Sequence, residues 1–178
     1  MLQLTLSFPL PAKAGEKILC ATTEINIASC ETTTGEYVSI CAHRGGNAYY
    51  RFGSRSKNEQ DFEFSKDKQI FRWLDSNTYI TFFGFDHGNL SYVFGVPQET
   101  LGATAFLVVR EKRERFTYNE TFTCTSNSFG DKKFKSQAVL DIDDDLVRCG
   151  DEIIFPPLEN ADQSRAVALC DEKTIQAR

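Results

Sequence analysis

The chain has 178 residues, 41% of them hydrophobic and 25% charged, with a formal net charge of -5. That length supports one domain with a real core, or one domain and a tail. The negative charge argues against a nucleic-acid partner, whose phosphates call for a basic surface, and no run of about 18 apolar residues offers a membrane span. Fifteen Phe and six Tyr stand against one Met and one Trp, an aromatic bias that favours strands.

Residues 1–14 read in two ways. Leu2 to Leu10 can form the apolar part of a signal peptide, and Ala12-Lys13-Ala14 fits its cleavage site, although the usual positive start is missing. Alternatively, Leu2, Leu4 and Leu6 alternate with Gln3 and Thr5 as one face of a strand. Residues 15–178 read as a single β domain, with a core at 18–125 and a C-terminal extension at 126–178.

In chain order, strands are predicted at 25–30 and 37–42 around Thr32-Thr33-Thr34-Gly35, and at 48–53 after Gly45-Gly46-Asn47. Residues 61–65 and 69–74 follow; Phe71 and Trp73 take one side of the second, and Ile70, Arg72 and Leu74 take the other. Strands at 78–85 and 90–96 flank Asp86-His87-Gly88-Asn89, a hairpin signal. The apolar run 104–110 is expected to be central, and 116–125 alternates most clearly, with Phe122 and Cys124 opposite Thr121 and Thr123. About eight short strands with frequent turns predict a mainly β fold, an antiparallel β-barrel or sandwich. The extension is expected to be irregular: polar to 136, acidic at 141–145, one more strand at 153–155 before Pro156-Pro157, and a short helix at 161–173.

Six cysteines, Cys20, Cys30, Cys41, Cys124, Cys149 and Cys170, are an even set suited to disulfides in an oxidising compartment, periplasmic or secreted. A hairpin centred near Gly35 places Cys30 opposite Cys41, and that pair is the first expected. The other four allow three connectivities; Cys124–Cys149 with Cys20–Cys170 would tie the extension onto the core. Full pairing would leave no thiol for catalysis. Without a CxxC, and with only His43 and His87 as imidazoles, no zinc site is expected.

Each candidate for chemistry has a plainer reading. Asp141, Asp143 and Asp145 match positions 1, 3 and 5 of a calcium loop and Glu152 matches position 12. Leu146 replaces the required glycine and Arg148 adds a cation, so a solvated acidic loop is the simpler account. His87 beside Asp86 sits in turn chemistry, His43 lies beside Arg44, and Asp61 and Glu63 suit a polar strand edge. No nucleophile elbow, phosphate loop or dinucleotide fingerprint occurs, so no cofactor is expected. The most suggestive surface is basic and aromatic: Tyr50 and Arg51, in the strand shared with Tyr49 and Phe52, then Arg55 and Lys57. Strand alternation must send half of these inward. The alternating charges of 110–115 read as a solvated hairpin end.

The run Cys30, Tyr37-Val-Ser-Ile-Cys41, Tyr50-Arg-Phe-Gly53, Phe62-Glu-Phe64 and Leu90-Ser-Tyr-Val-Phe94 resembles small exported disulfide-bearing β proteins of Gram-negative bacteria, in which an S-[IV]-C strand precedes a Y-R-F-G strand. The resemblance spans residues 30–125 and implies class and location, with no catalytic residue. In size and expected topology the chain is also similar to the periplasmic lysozyme inhibitors. Their Ser-Gly inhibitory signature is not reproduced by Phe52-Gly-Ser-Arg-Ser-Lys57, so no inhibitory residue is carried over. The expected function is a non-catalytic exported protein that binds a protein partner, an inhibitor or immunity-type protein acting on a cell-wall-active or toxic enzyme. Alternatives are a periplasmic hydrolase using His87 and a calcium-stabilised structural envelope protein. Oligomeric state is left open.

Overall fold

A computed structural model describes residues 19–54, 56–98, 102–111, 119–128, 130–149 and 152–153. The first four strands, β1 (Ile25–Glu31), β2 (Tyr37–Ala42), β3 (Ala48–Ser54) and β4 (Lys57–Phe64), form an antiparallel meander in that order. The next five, β5 (Ile70–Asp75), β6 (Ile80–His87), β7 (Leu90–Pro97), β8 (Phe106–Glu111) and β9 (Asn119–Thr123), form a second meander. Onto its edge β10 (Val139–Asp141) adds parallel to β5. After one 3-10 turn at Asp144–Leu146, the short strands β11 (Arg148–Cys149) and β12 (Glu152–Ile153) pair with each other.

Alternation of side chains builds the core between the two meanders. Val38, Ile40, Tyr50, Phe52 and Phe64 point inward from the first sheet, and Ile70, Phe83, Phe85, Tyr92, Phe94, Val96 and Leu107 from the second. Aromatic rings dominate the contact: Phe85 lies 4.7 Å from Phe64 and 5.0 Å from both Tyr50 and Tyr92, centroid to centroid. The pairs with Phe64 and Tyr50 are edge-on and the pair with Tyr92 is stacked, geometries that add to plain burial. The β6–β7 hairpin closes through two residues, Gly88 and Asn89, and Gly88 adopts φ +59, the left-handed conformation such a turn demands.

The second sheet is apolar on its outer face as well. Phe71, Trp73, Phe82 and Val93 are buried there under Leu140, Ile142 and Val147. This explains the acidic run: Asp141, Asp143 and Asp145 are the exposed half of an alternating strap whose other half lies on the sheet.

At one corner the sheets are joined. Thr33 N–H donates to Thr123 O (2.8 Å) and Thr125 N–H to Glu31 O (2.8 Å), beside a disulfide between Cys30 and Cys124. Among the described residues the sheets are not closed into a barrel, so of the two expected architectures the sandwich is the one that fits. Residues 126–138 then cross from β9 to β10: Ser128 Oγ accepts from Ser29 N–H (3.0 Å), Asp131 N–H donates to Asn26 O (2.9 Å), and Ser136 Oγ donates to Gly46 O (2.8 Å). Gly130, at φ +123, lets this segment press on β1, where a Cβ would lie 2.7 Å from the carbonyl oxygens of Asn26 and Ile27. The extension expected to be irregular is thus, to residue 149, a crossing segment, an added strand and a strap.

The disulfides correct the expected pairing. Cys30 bonds Cys124 and Cys20 bonds Cys41, which overturns Cys30–Cys41, Cys124–Cys149 and Cys20–Cys170. The physical reason is register. The β1–β2 hairpin is centred on Thr34, earlier than expected, so Cys30 faces Val38; a bulge between Asn26 and Ala28 then sets Cys41 opposite Asn26. Cys30 therefore points into the core, while Cys41 points to the outer face of the first sheet. The side chain of Cys149, all of Cys170, residues 1–14 and the expected helix at 161–173 lie outside the described residues; of the strand expected at 153–155, only residue 153 is described, at the end of β12.

Candidate functional site

Of the expected binding group Tyr50, Arg51, Arg55 and Lys57, the three described members do not share one surface. Tyr50 is fully buried, because its neighbours in β3 alternate and it takes the inner face. Arg55 lies outside the described residues, and Lys57 is exposed at the start of β4. Arg51 faces outward but is spent on structure. Residues 19–24 fold over it, pinned by Cys20–Cys41 and by Leu19 N–H donating to Ser39 Oγ (3.0 Å). Its Nη1 and Nη2 donate to the two oxygens of Glu24 (2.6 and 3.0 Å) and its Nε to Asp61 (3.1 Å), with the Tyr49 ring 4.8 Å away.

Burial pushes the Glu24 carboxyl up, but hydrogen bonds from Arg51 and the Ala21 N–H, with the Arg51 and His43 charges, outweigh it and hold the group below its usual range. The Glu24 bonds conversely raise Arg51 against the opposing effect of burial. His43 Nε2 lies 4.0 Å from Glu24 and its ring meets Tyr49 edge-on at 5.8 Å. The carboxylate nearest His43 is thus already committed to Arg51. His87 stacks on Phe62 at 3.9 Å, and the adjacent Asp86 accepts from Ser91 Oγ (2.6 Å).

The described members of the calcium set, Asp141, Asp143 and Asp145, do not gather around a common point. Asp141 is paired with Arg72 (2.5 Å) and with Lys135, while Asp143 and Asp145 are exposed on the strap. The side chain of Glu152 lies outside the described residues. Among the described residues, the one group of three metal-ligating side chains within reach of a common ion is Cys20, Glu24 and Cys41, and its two sulfurs are joined to each other.

A cleft does form where β10 leaves the edge of β5. It has a volume of about 560 Å³ and is lined by Leu74, Thr81 and Gln98 together with Lys132, Lys133 and Lys135. Pockets of roughly this size hold small ligands or inserted side chains. Its anchor is Arg72, only 6% exposed. Arg72 Nε donates to Asp141, and Nη1 donates to the carbonyls of Lys132 and Phe134, both at 2.8 Å. These bonds fix the loop against the sheet and hold the guanidinium still.

Around it, Lys132 Nζ donates to Pro97 O (3.3 Å) and Gln98 Nε2 to Thr81 Oγ1 (3.3 Å). Leu74 supplies an apolar wall and is 46% exposed. The lining carries four cations, Arg72, Lys132, Lys133 and Lys135, against the single anion Asp141. Burial pushes Asp141 up, but hydrogen bonds and charge from Arg72 and Lys135 prevail and keep its carboxyl below the ordinary range.

Sequence reasoning missed this site, though a signal was present. Arg72 falls on the same face of its strand as Ile70, a core position, and an arginine there must be paired. The run Lys132-Lys133-Phe134-Lys135 was the second trace, a cationic cluster in an acidic chain. Comparison of the chain with protein families, with curated proteins and with solved structures returns no match.

Proposed function

We propose that this chain is a non-catalytic binding protein of an oxidising compartment, whose sandwich presents the Arg72 cleft to a protein partner. In its finer form the reading is an inhibitor or immunity-type protein that blocks a cell-wall-active or toxic enzyme of the bacterial periplasm. The observation that carries it is the cleft: a concave, positively charged site anchored on strands, in a chain of net charge -5. Two disulfides among the described residues support the oxidising compartment. Among the described residues, no helix is long and apolar enough to cross a membrane. A rigid scaffold that fixes a charged cleft suits binding because little ordering remains to be done on association.

The test is capture from a Gram-negative envelope extract by the intact chain and by a K132E/K133E variant, with a parallel titration against lysozyme activity. Saturable capture of one enzyme, lost on charge reversal, is the expected result. Capture of nothing, or capture indifferent to the reversal, would refute the reading.

A further inference from the structure

The guanidinium of Arg72 has five N–H donors, and the protein uses only part of them. Nε is taken by Asp141 and Nη1 by two carbonyl oxygens, whereas Nη2 makes no hydrogen bond to any described residue. Arg72 is nevertheless buried, and it lines the cleft. Nη2 is not itself a buried orphan: it stays open where the residue lines the cleft, so water or a guest can supply its acceptor. Lys133, also part of the lining, is exposed and forms no ion pair with a described residue.

Two cationic donors therefore converge on one cavity, with the apolar side chains of Leu74 and Ile142 beside them. The same cavity includes the Asp141 carboxylate, which disfavours a doubly charged guest such as phosphate.

From this arrangement we infer that the cleft is a carboxylate site: it takes a single carboxylate on an apolar stem, with the carboxylate between Arg72 Nη2 and Lys133 Nζ and the stem along Leu74. The inference deepens the binding reading above and rests on it for the source of the carboxylate, an acidic side chain of the partner. A free aliphatic acid has the same chemistry, so both are tested.

Calorimetric titration of the full chain uses hexanoate against hexanamide, inorganic phosphate, and an extended peptide carrying one glutamate between leucines against its glutamine form. The carboxylates should bind about tenfold or more tighter than their amides, as expected for a charge-assisted bond. Their affinity should fall with added salt. Lys133→Met should remove most of that preference while leaving the urea midpoint unchanged, because Lys133 is exposed.

Tight binding of the peptide with weak binding of hexanoate assigns the site to a protein segment, and the reverse assigns it to a small acid. Equal binding of acid and amide, preference for phosphate, or indifference to Lys133→Met overturns the carboxylate site. Partner capture that survives such a result would leave the binding reading standing without it. Carboxylate binding without any captured partner would do the opposite.

Discussion

Gly95 lies in the middle of β7, directly across from Phe106 in β8 and Phe82 in β6, on the outer face of the second sheet. A Cβ added there would sit 2.4 Å from Phe106 Cζ and 2.8 Å from Cε1 and Cε2, where ordinary contact begins at 3.4 Å. The ring lies flat over the glycine, and its centroid is 6.2 Å from that of Phe82 in an edge-on pair. Gly95→Ala therefore requires the ring to retreat by about an ångström. That means leaving its contact with Phe82 or splaying two paired strands, and overpacking of this kind costs about 1–3 kcal/mol.

The loss should appear even though alanine is less flexible than glycine in the unfolded chain, which by itself favours folding. Phe106→Ala removes the obstacle. In a double-mutant cycle followed by urea denaturation, G95A should add little to F106A, giving a coupling energy of about 1–2 kcal/mol. Midpoints should shift at constant slope. A neutral or stabilising G95A, or strict additivity of the two changes, would refute the stacking argument.

Tyr50 offers the converse test. Its hydroxyl is buried with no hydrogen-bond partner, so Tyr50→Phe should be neutral or raise stability by up to about 1 kcal/mol, read from the thermal midpoint. The two disulfides should differ: they bridge 94 and 21 residues of separation. In the chain-entropy estimate, removing Cys30–Cys124 then costs about 4.7 kcal/mol and removing Cys20–Cys41 about 3.4 kcal/mol. Denaturation of the two double Cys→Ala variants checks the order, and a larger loss from the shorter loop would count against it.

The pH dependence follows from Glu24 and Asp141, both held below their ordinary values of 4.5 and 3.8 in the fold. A depressed carboxyl stabilises fully above its unfolded value, and that contribution is lost as pH falls through the folded value. The urea midpoint should therefore decline with acidification below about pH 4.5, and Glu24→Gln should flatten that decline. An unchanged acid profile in the variant would assign the loss elsewhere.

Much of the sandwich was legible before any coordinates, because local alternation carries it. Phe71 and Trp73 opposite Ile70, and the turn at Gly88, need only neighbours in sequence to be read. What escaped depended on partners far along the chain. The position of the turn and the bulge after Asn26 set which residues Cys30 and Cys41 oppose, and neither leaves a mark in a hydrophobic pattern. β10 is three residues long and pairs parallel to a strand about seventy positions earlier, so it carries no periodicity of its own. Asp141 matched a metal-ligand spacing because alternate residues on any exposed strap share that spacing; its partner is Arg72. The cleft is legible only once residues 132–135 are laid against Leu74 and Gln98.

The two disulfides interlock in sequence: Cys30 lies inside the loop closed by Cys20–Cys41, and Cys41 lies inside the loop closed by Cys30–Cys124. Synthesis delivers Cys20, Cys30 and Cys41 long before Cys124. Oxidation in order of arrival would join Cys20 to Cys30, or Cys30 to Cys41, and neither bond belongs to the native molecule. The correct pairs require that β1 wait for β9 with its thiol still reduced, or that an early bond be reshuffled, a process that takes minutes to hours without a catalyst. The yield of correctly bridged protein is therefore governed by isomerase activity more than by oxidising strength, and a host that only oxidises quickly will trap the chain with the wrong neighbours joined.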